Sequence, residues 1–271
     1  MTECPHFDLL NPKTYANGVP FDQLNALRNA CPVSKQRDTD NDMDYWAITR
    51  REDIDFISKN PKIFSSYERL ALLEEMDGDL LELQRTQIIH MDPPEHIKHR
   101  RIVRNAFTAR AVDALEPFIR EKIAEVMDRV IPKGECEFVA EVSAEIPLLV
   151  ICELMGIPPE ERTVFRHHVD IMLGGLDPTM NISEEEQTAS MMAIFEQGTK
   201  LAQQHQENPQ DNLIAKLLDG TVDGESLSDM EFVTFFLLLI VGGIETTRTS
   251  TTHGMRLLME YPEQYQMLVD N

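Results

Sequence analysis

Apolar residues recur every three to four positions along most of this chain, the spacing of helices that bury one face. The pattern predicts helices over 21–30 (FDQLNALRNA), 50–60, 94–106, 111–131, 141–155, 159–173 and 184–207, with a short one in DNLIAKLLDG, 211–220. YWAIT, 45–49, is one of few segments with strand-like composition, and TVDGES, 221–226, reads as a turn or small hairpin. Asp92 stands where it can cap the helix that follows the Asp92-Pro93-Pro94 turn. Ser228 and Glu231 form an S-x-x-E capping box opening the longest helix, which Tyr261-Pro262 stops after Glu260. No repeat, low-complexity tract or interdomain linker interrupts this order, so the expectation is one mainly α domain with a small β component.

Charge narrows the function classes. A formal net charge of −22 over 271 residues leaves no broad basic face for nucleic acid or an anionic membrane. The longest apolar run, Phe232 to Val241, is too short to span a bilayer, and MTECPHFDLLNPK lacks the basic-then-apolar order of a secretory leader. Cys4, Cys31, Cys136 and Cys152 show no metal-ligand spacing, and reduced thiols in a cytoplasmic protein are the expectation.

Two stretches depart from plain amphipathic pattern. In HMDPPEHIKHRRIVRNAF, 90–107, His96 and Arg100 are four apart and share a helix face with Val103 and Phe107. A donor, a permanent cation and apolar neighbours suit a carboxylate-bearing apolar cofactor. Two other readings stand beside it: a metal site from His90, Asp92, His96 and His99, which Lys98, Arg100, Arg101 and Arg104 would oppose, and a solvated basic face. In FVTFFLLLIVGGIETTRTSTT, 232–252, two glycines, an acid and two threonines interrupt an apolar helix. Leu238 or Leu239, Gly242 and Thr246 fall near one stripe, where small residues admit a flat ligand and a hydroxyl can bond back to a carbonyl. Close helix packing through glycine, with Glu245 reaching solvent, explains the same residues equally well.

Both stretches, in this order, resemble the haem-thiolate monooxygenases, the cytochrome P450 superfamily, in their bacterial form. DPPEHIKHRRIVRNAFTARAV is similar to that family's C helix, and GGIETT to the centre of its I helix. DNLIAKLL, the hairpin and LSDMEF resemble the segment that precedes the I helix in bacterial members. The resemblance implies the N-terminal two-thirds of the cytochrome P450 fold and haem b (iron-protoporphyrin IX) as cofactor. His96 and Arg100 are then implied to bind the propionates, and Gly242 and Gly243 to let the helix lie against the porphyrin. Thr246 is implied to hydrogen-bond the oxygen being activated, with Glu245 gating proton entry. Leu238 and Val241, with parts of 64–89 and 173–183, would face an apolar small-molecule substrate. FSSYE, ECEFVAEVSAEIPLLVICELMG and GGIETTRTSTTHGM are most similar to members acting on steroids or terpenoids. A ferredoxin-type electron donor is implied, and no nucleic acid or membrane partner.

The chain departs from the family after its I helix. The K-helix Glu-x-x-Arg and the Cys-containing haem loop are not found, and the matches Glu82/Arg85 and Glu245/Arg248 lie in the wrong places. No cysteine stands in the context of the proximal ligand, so no metal ligand is assigned. The expectation is a single incomplete domain, 1–271, C-terminally truncated, inactive alone and prone to aggregate. The alternative is a non-catalytic helical binding protein that has lost haem.

Overall fold

A computed structural model describes residues 4–38, 43–68, 78–104, 107–175, 180–209 and 212–270. The chain forms two compact units, one of residues 1–85 with 89–94, the other of 86–88 with 95–271.

In the first unit, α1 (Phe21–Ala30) leads into an antiparallel pair, β1 (Val33–Asp38) and β2 (Met43–Ile48), followed by α2 (Arg51–Lys59) and α3 (Gly78–Arg85). The register runs from Val33 opposite Ile48 to Asp38 opposite Met43. The pattern of apolar residues finds β2 but misses β1, because the inward face of β1 is polar: Ser34, Gln36 and Asp38 are all buried. Gln36 makes that burial tolerable, since an unpaired buried amide would be costly. Its Nε2 donates to Ser34 Oγ at 2.8 Å and to the Pro5 carbonyl at 3.3 Å, and its Oε1 accepts from Phe7 N at 3.0 Å. Cys4 and Cys31, expected as reduced thiols, are joined here, their Cα atoms 5.7 Å apart. Asp92 does not turn to a helix start as expected. Its carboxylate accepts from Ser65 Oγ at 2.5 Å and Ser66 N at 3.0 Å.

The second unit is helical: α4 (Glu95–Arg104), α5 (Ala109–Asp113), α6 (Glu116–Val130), α7 (Glu145–Met155), α8 (Arg162–Gly174), α9 (Glu184–Glu207) and α10 (Leu213–Leu218). A hairpin of β3 (Thr221–Val222) and β4 (Glu225–Ser226) then leads to α11 (Asp229–Glu260) and α12 (Pro262–Asp270). The helix predicted over 111–131 is two helices, since Pro117 lacks an N–H and its ring opposes the carbonyl four residues back. The predicted 141–155 helix begins as a single π-helical turn, Val139–Ser143, before α7.

The core of this unit gathers Ile151, Cys152 and Met155 of α7, Phe165 and Val169 of α8, Ile194 and Leu201 of α9, and Phe232, Phe236, Ile240 and Ile244 of α11. α11 is long and apolar enough by composition to cross a membrane. Its N-terminal half is instead buried against neighbouring helices, where Phe236 and Ile240 are fully covered. Mainly α with a small β component is therefore the fold class observed.

Candidate functional site

Burial on α11 ends at Ile244, and the two glycines before it face different ways. A Cβ on Gly243 would come within 2.6 Å of the Ile151 side chain on α7, so Gly243 is where the two helices close up. A Cβ on Gly242 would meet nothing within 4 Å. Gly243 thus answers to the helix-packing reading, and Gly242 lies uncovered. Leu237 and Leu239 pack on the core, whereas Leu238 and Val241 are half-buried and stand outside it. Leu238, Gly242 and Thr246 form the open stripe, and Thr246 Oγ1 donates to the Gly242 carbonyl at 2.7 Å. Such back-bonding occupies a helix hydroxyl without breaking the helix, which runs uninterrupted to Glu260.

Glu245 does not reach into solvent alone. Arg248, one turn on, pairs with it, and Thr249 Oγ1 donates to its Oε1 at 3.1 Å. Arg248 also meets Asp170 of α8 at 3.5 Å, Asp170 meets Arg166, and Arg166 and Arg129 converge on Glu145 at the start of α7. The acid of the notch is therefore one end of a charge chain across four helices. Sequence reading set Glu245/Arg248 aside as a chance motif match, although the i,i+3 spacing of opposite charges was itself the signal. Asp170 carried no signal, since it comes from another helix.

On α4, His96 is half-buried and Arg100 exposed, and neither hydrogen-bonds nor pairs with any described residue. A His and an Arg one turn apart suit an anion, while Arg101 and Arg104 on the same helix are also exposed and unpaired among the described residues, as in a solvated basic face. The metal alternative gains no support. Among the described residues no group of three His, Cys, Asp or Glu side chains is placed to hold an ion. His99 faces Glu231 at 3.3 Å, Asp92 is taken by Ser65, and His90 is buried with neither ring nitrogen hydrogen-bonded.

The donor set and the open glycine fit a flat cofactor with carboxylate arms: His96 and Arg100 for the arms, Gly242 for the face. Cys152 is fully buried, with burial pushing its thiol up to about 12, and Cys136 is exposed after α6. Parts of the two segments expected to face substrate, 69–77 and 176–179, lie outside the described residues.

Residues 161–271 match the sequence profile of the cytochrome P450 family. Among curated proteins, a steroid C26-monooxygenase of Mycobacterium tuberculosis is 33% identical over 97% of this chain and 62% of its own length. A methyl-branched lipid omega-hydroxylase of the same species is 34% identical over 81% of this chain and 52% of its own. The chain thus spans less than two-thirds of the length of these relatives. Among solved structures, a Mycobacterium marinum cytochrome P450 in complex with pseudoionone superposes on 100% of this chain and 69% of its own. The TM-score of that superposition is 0.84, at 27% identity. A leinamycin-pathway cytochrome P450 hydroxylase of Streptomyces atroolivaceus gives 0.79 over 92% of this chain and 61% of its own, at 26% identity.

Proposed function

The chain belongs to the cytochrome P450 family, and from that membership we propose that it forms the distal wall of a haem b site in a monooxygenase that hydroxylates an apolar small molecule. When bound, haem supplies the iron at which dioxygen is activated. The observation that carries the reading is the open stripe of α11: Gly242 uncovered and Thr246 turned onto its carbonyl, where the core-facing N-terminal half of the helix ends.

The chain's own residues divide the work. His96 and Arg100 hold the propionates by charge-assisted hydrogen bonds. Gly242 gives clearance for the macrocycle, while Gly243 fixes the helix on α7. Leu238 and Val241 keep the cavity dry and orient an apolar substrate. Glu245, held by Arg248 and Thr249, would hold and pass a proton at the notch, and the Thr246 hydroxyl would present one at the open stripe. The relatives named for steroid and methyl-branched lipid hydroxylation make a steroid, terpenoid or branched lipid the substrate class. A ferredoxin-type donor supplies electrons in the cytoplasm, with no nucleic-acid or membrane partner.

Haem titration followed at the Soret band tests the site. Wild type is expected to bind haem, with affinity reduced about tenfold or more in Arg100→Glu and less in His96→Leu. A further Soret shift with a steroid but not a methyl-branched fatty acid would select the substrate class. Absence of haem uptake by the wild type would favour a helical binding protein without haem.

A further inference from the structure

α4 presents His96 and Arg100 on one side, and on the other it is pinned to its neighbours. Lys98 Nζ bridges Glu95 Oε1 at 2.7 Å and Asp223 Oδ2, in the β3–β4 turn, at 2.6 Å. Ile102 packs against Gly220, whose lack of a side chain lets the hairpin approach. Between these, His99 is only 5% exposed and engages both ring nitrogens.

Nδ1 lies 3.0 Å from the Glu95 carbonyl oxygen, and Nε2 lies 3.3 Å from Glu231 Oε1. A carbonyl oxygen only accepts, so Nδ1 carries a proton. Glu231 accepts as well: its Oε2 takes Ser228 N at 2.8 Å and Ser228 Oγ at 2.7 Å. Burial opposes ionisation of Glu231, but the Ser228 hydroxyl and amide, with His99, outweigh it and hold the carboxyl below the ordinary range. Both ring nitrogens therefore face acceptors, and a ring that donates from both is the imidazolium. Other charges on the elements packed here are Lys98, bound to both Glu95 and Asp223, His96, Arg100, Arg101 and Arg104 on α4, Glu225 on β4, Asp229 on α11, and on α10 Lys216 with Asp219 just beyond it, the latter facing His205.

We infer that His99 is a positioning residue: as an imidazolium it bolts the helix bearing His96 and Arg100 to the capping box that starts α11. Glu231 joins two tasks in one carboxylate, one oxygen closing the first turn of α11 and the other holding α4. From that bolt the open glycine lies three turns on, about 16 Å along the axis. The pin thus sets how far the anion seat stands from the notch. The functional part of this inference rests on the haem-site reading above; the bond itself does not.

Nitrogen-15 spectra of the imidazole rings in the protein without added haem test the bond. In the wild type at neutral pH the His99 ring is expected to show both nitrogens protonated, and Glu231→Gln to lose that signature. Amide exchange in α4 is expected to quicken roughly tenfold in His99→Gln, the size of one charge-assisted hydrogen bond. Adding Glu231→Gln to His99→Gln should quicken α4 no further, since the bond is already gone. With haem, His99→Gln should weaken binding by a similar factor although His96 and Arg100 are intact. A singly protonated His99 ring in the wild type, or unchanged α4 exchange in both single variants, overturns the inference. If the wild type takes up no haem, the haem-site reading fails, while the ring and exchange results still decide the bolt.

Discussion

His90 and Cys152 show how much burial alone can impose on a titrating side chain. His90 is 1% exposed with no hydrogen-bond partner among the described residues, and burial, with the charge of Arg85, pushes its pKa below the ordinary histidine range. The folded protein therefore holds it neutral, while the unfolded chain takes up a proton below about pH 6.5. The folded state loses stability as pH falls through that region. His90→Leu should melt above the wild type at pH 5, and the gap should narrow toward pH 8; a gap independent of pH would contradict this. Cys152 follows the same physics with opposite charge, since burial disfavours the thiolate. At pH 8 iodoacetamide should label Cys136 in the native protein and reach Cys152 only after unfolding, as peptide mass spectrometry would show.

At the scale of the element, the two adjacent glycines of α11 meet different surroundings. Gly243→Ala would drive a methyl into Ile151 and should cost about 1–3 kcal/mol. Gly242→Ala meets open space and should gain up to about 1 kcal/mol from helix propensity, while impairing haem uptake. Chemical denaturation of both variants separates the roles, and equal destabilisation would refute the assignment. The helices themselves were legible: the capping box at Ser228 and the stop at Tyr261-Pro262 bound α11 as expected. β1 was not legible, because Ser34, Gln36 and Asp38 point inward and hydropathy cannot see a buried face satisfied by hydrogen bonds. The facing directions of Gly242 and Gly243 were equally hidden, since a helical repeat tells which residues share a stripe but not what lies opposite it.

For the whole molecule, the dominant fact outside the core is its charge of −22. Carboxylates repel one another throughout the folded surface, so salt should stabilise it. Raising ionic strength from about 0.01 M to about 0.15 M shortens the Debye length from ~30 Å to ~8 Å. The melting temperature should rise over that interval, and a fall would mean that ion pairs such as Lys98–Asp223 outweigh the general repulsion. The spacing of His96 and Arg100 along one helix could be read from sequence, and neither has a partner among the described residues. The charge chain from Glu245 to Arg129 could not, because its links come from four helices far apart along the chain.

The bolt at Glu231 and the double glycine have a consequence for how this gene can change its length. Each residue added to a helix rotates everything after it by about 100°. A single insertion or deletion between Glu231 and Gly242 would swing the uncovered glycine into the core and send an apolar side chain toward the open stripe. That stretch should therefore accept substitutions but reject length changes, so its spacing is a firmer mark of descent than the identity of its apolar residues.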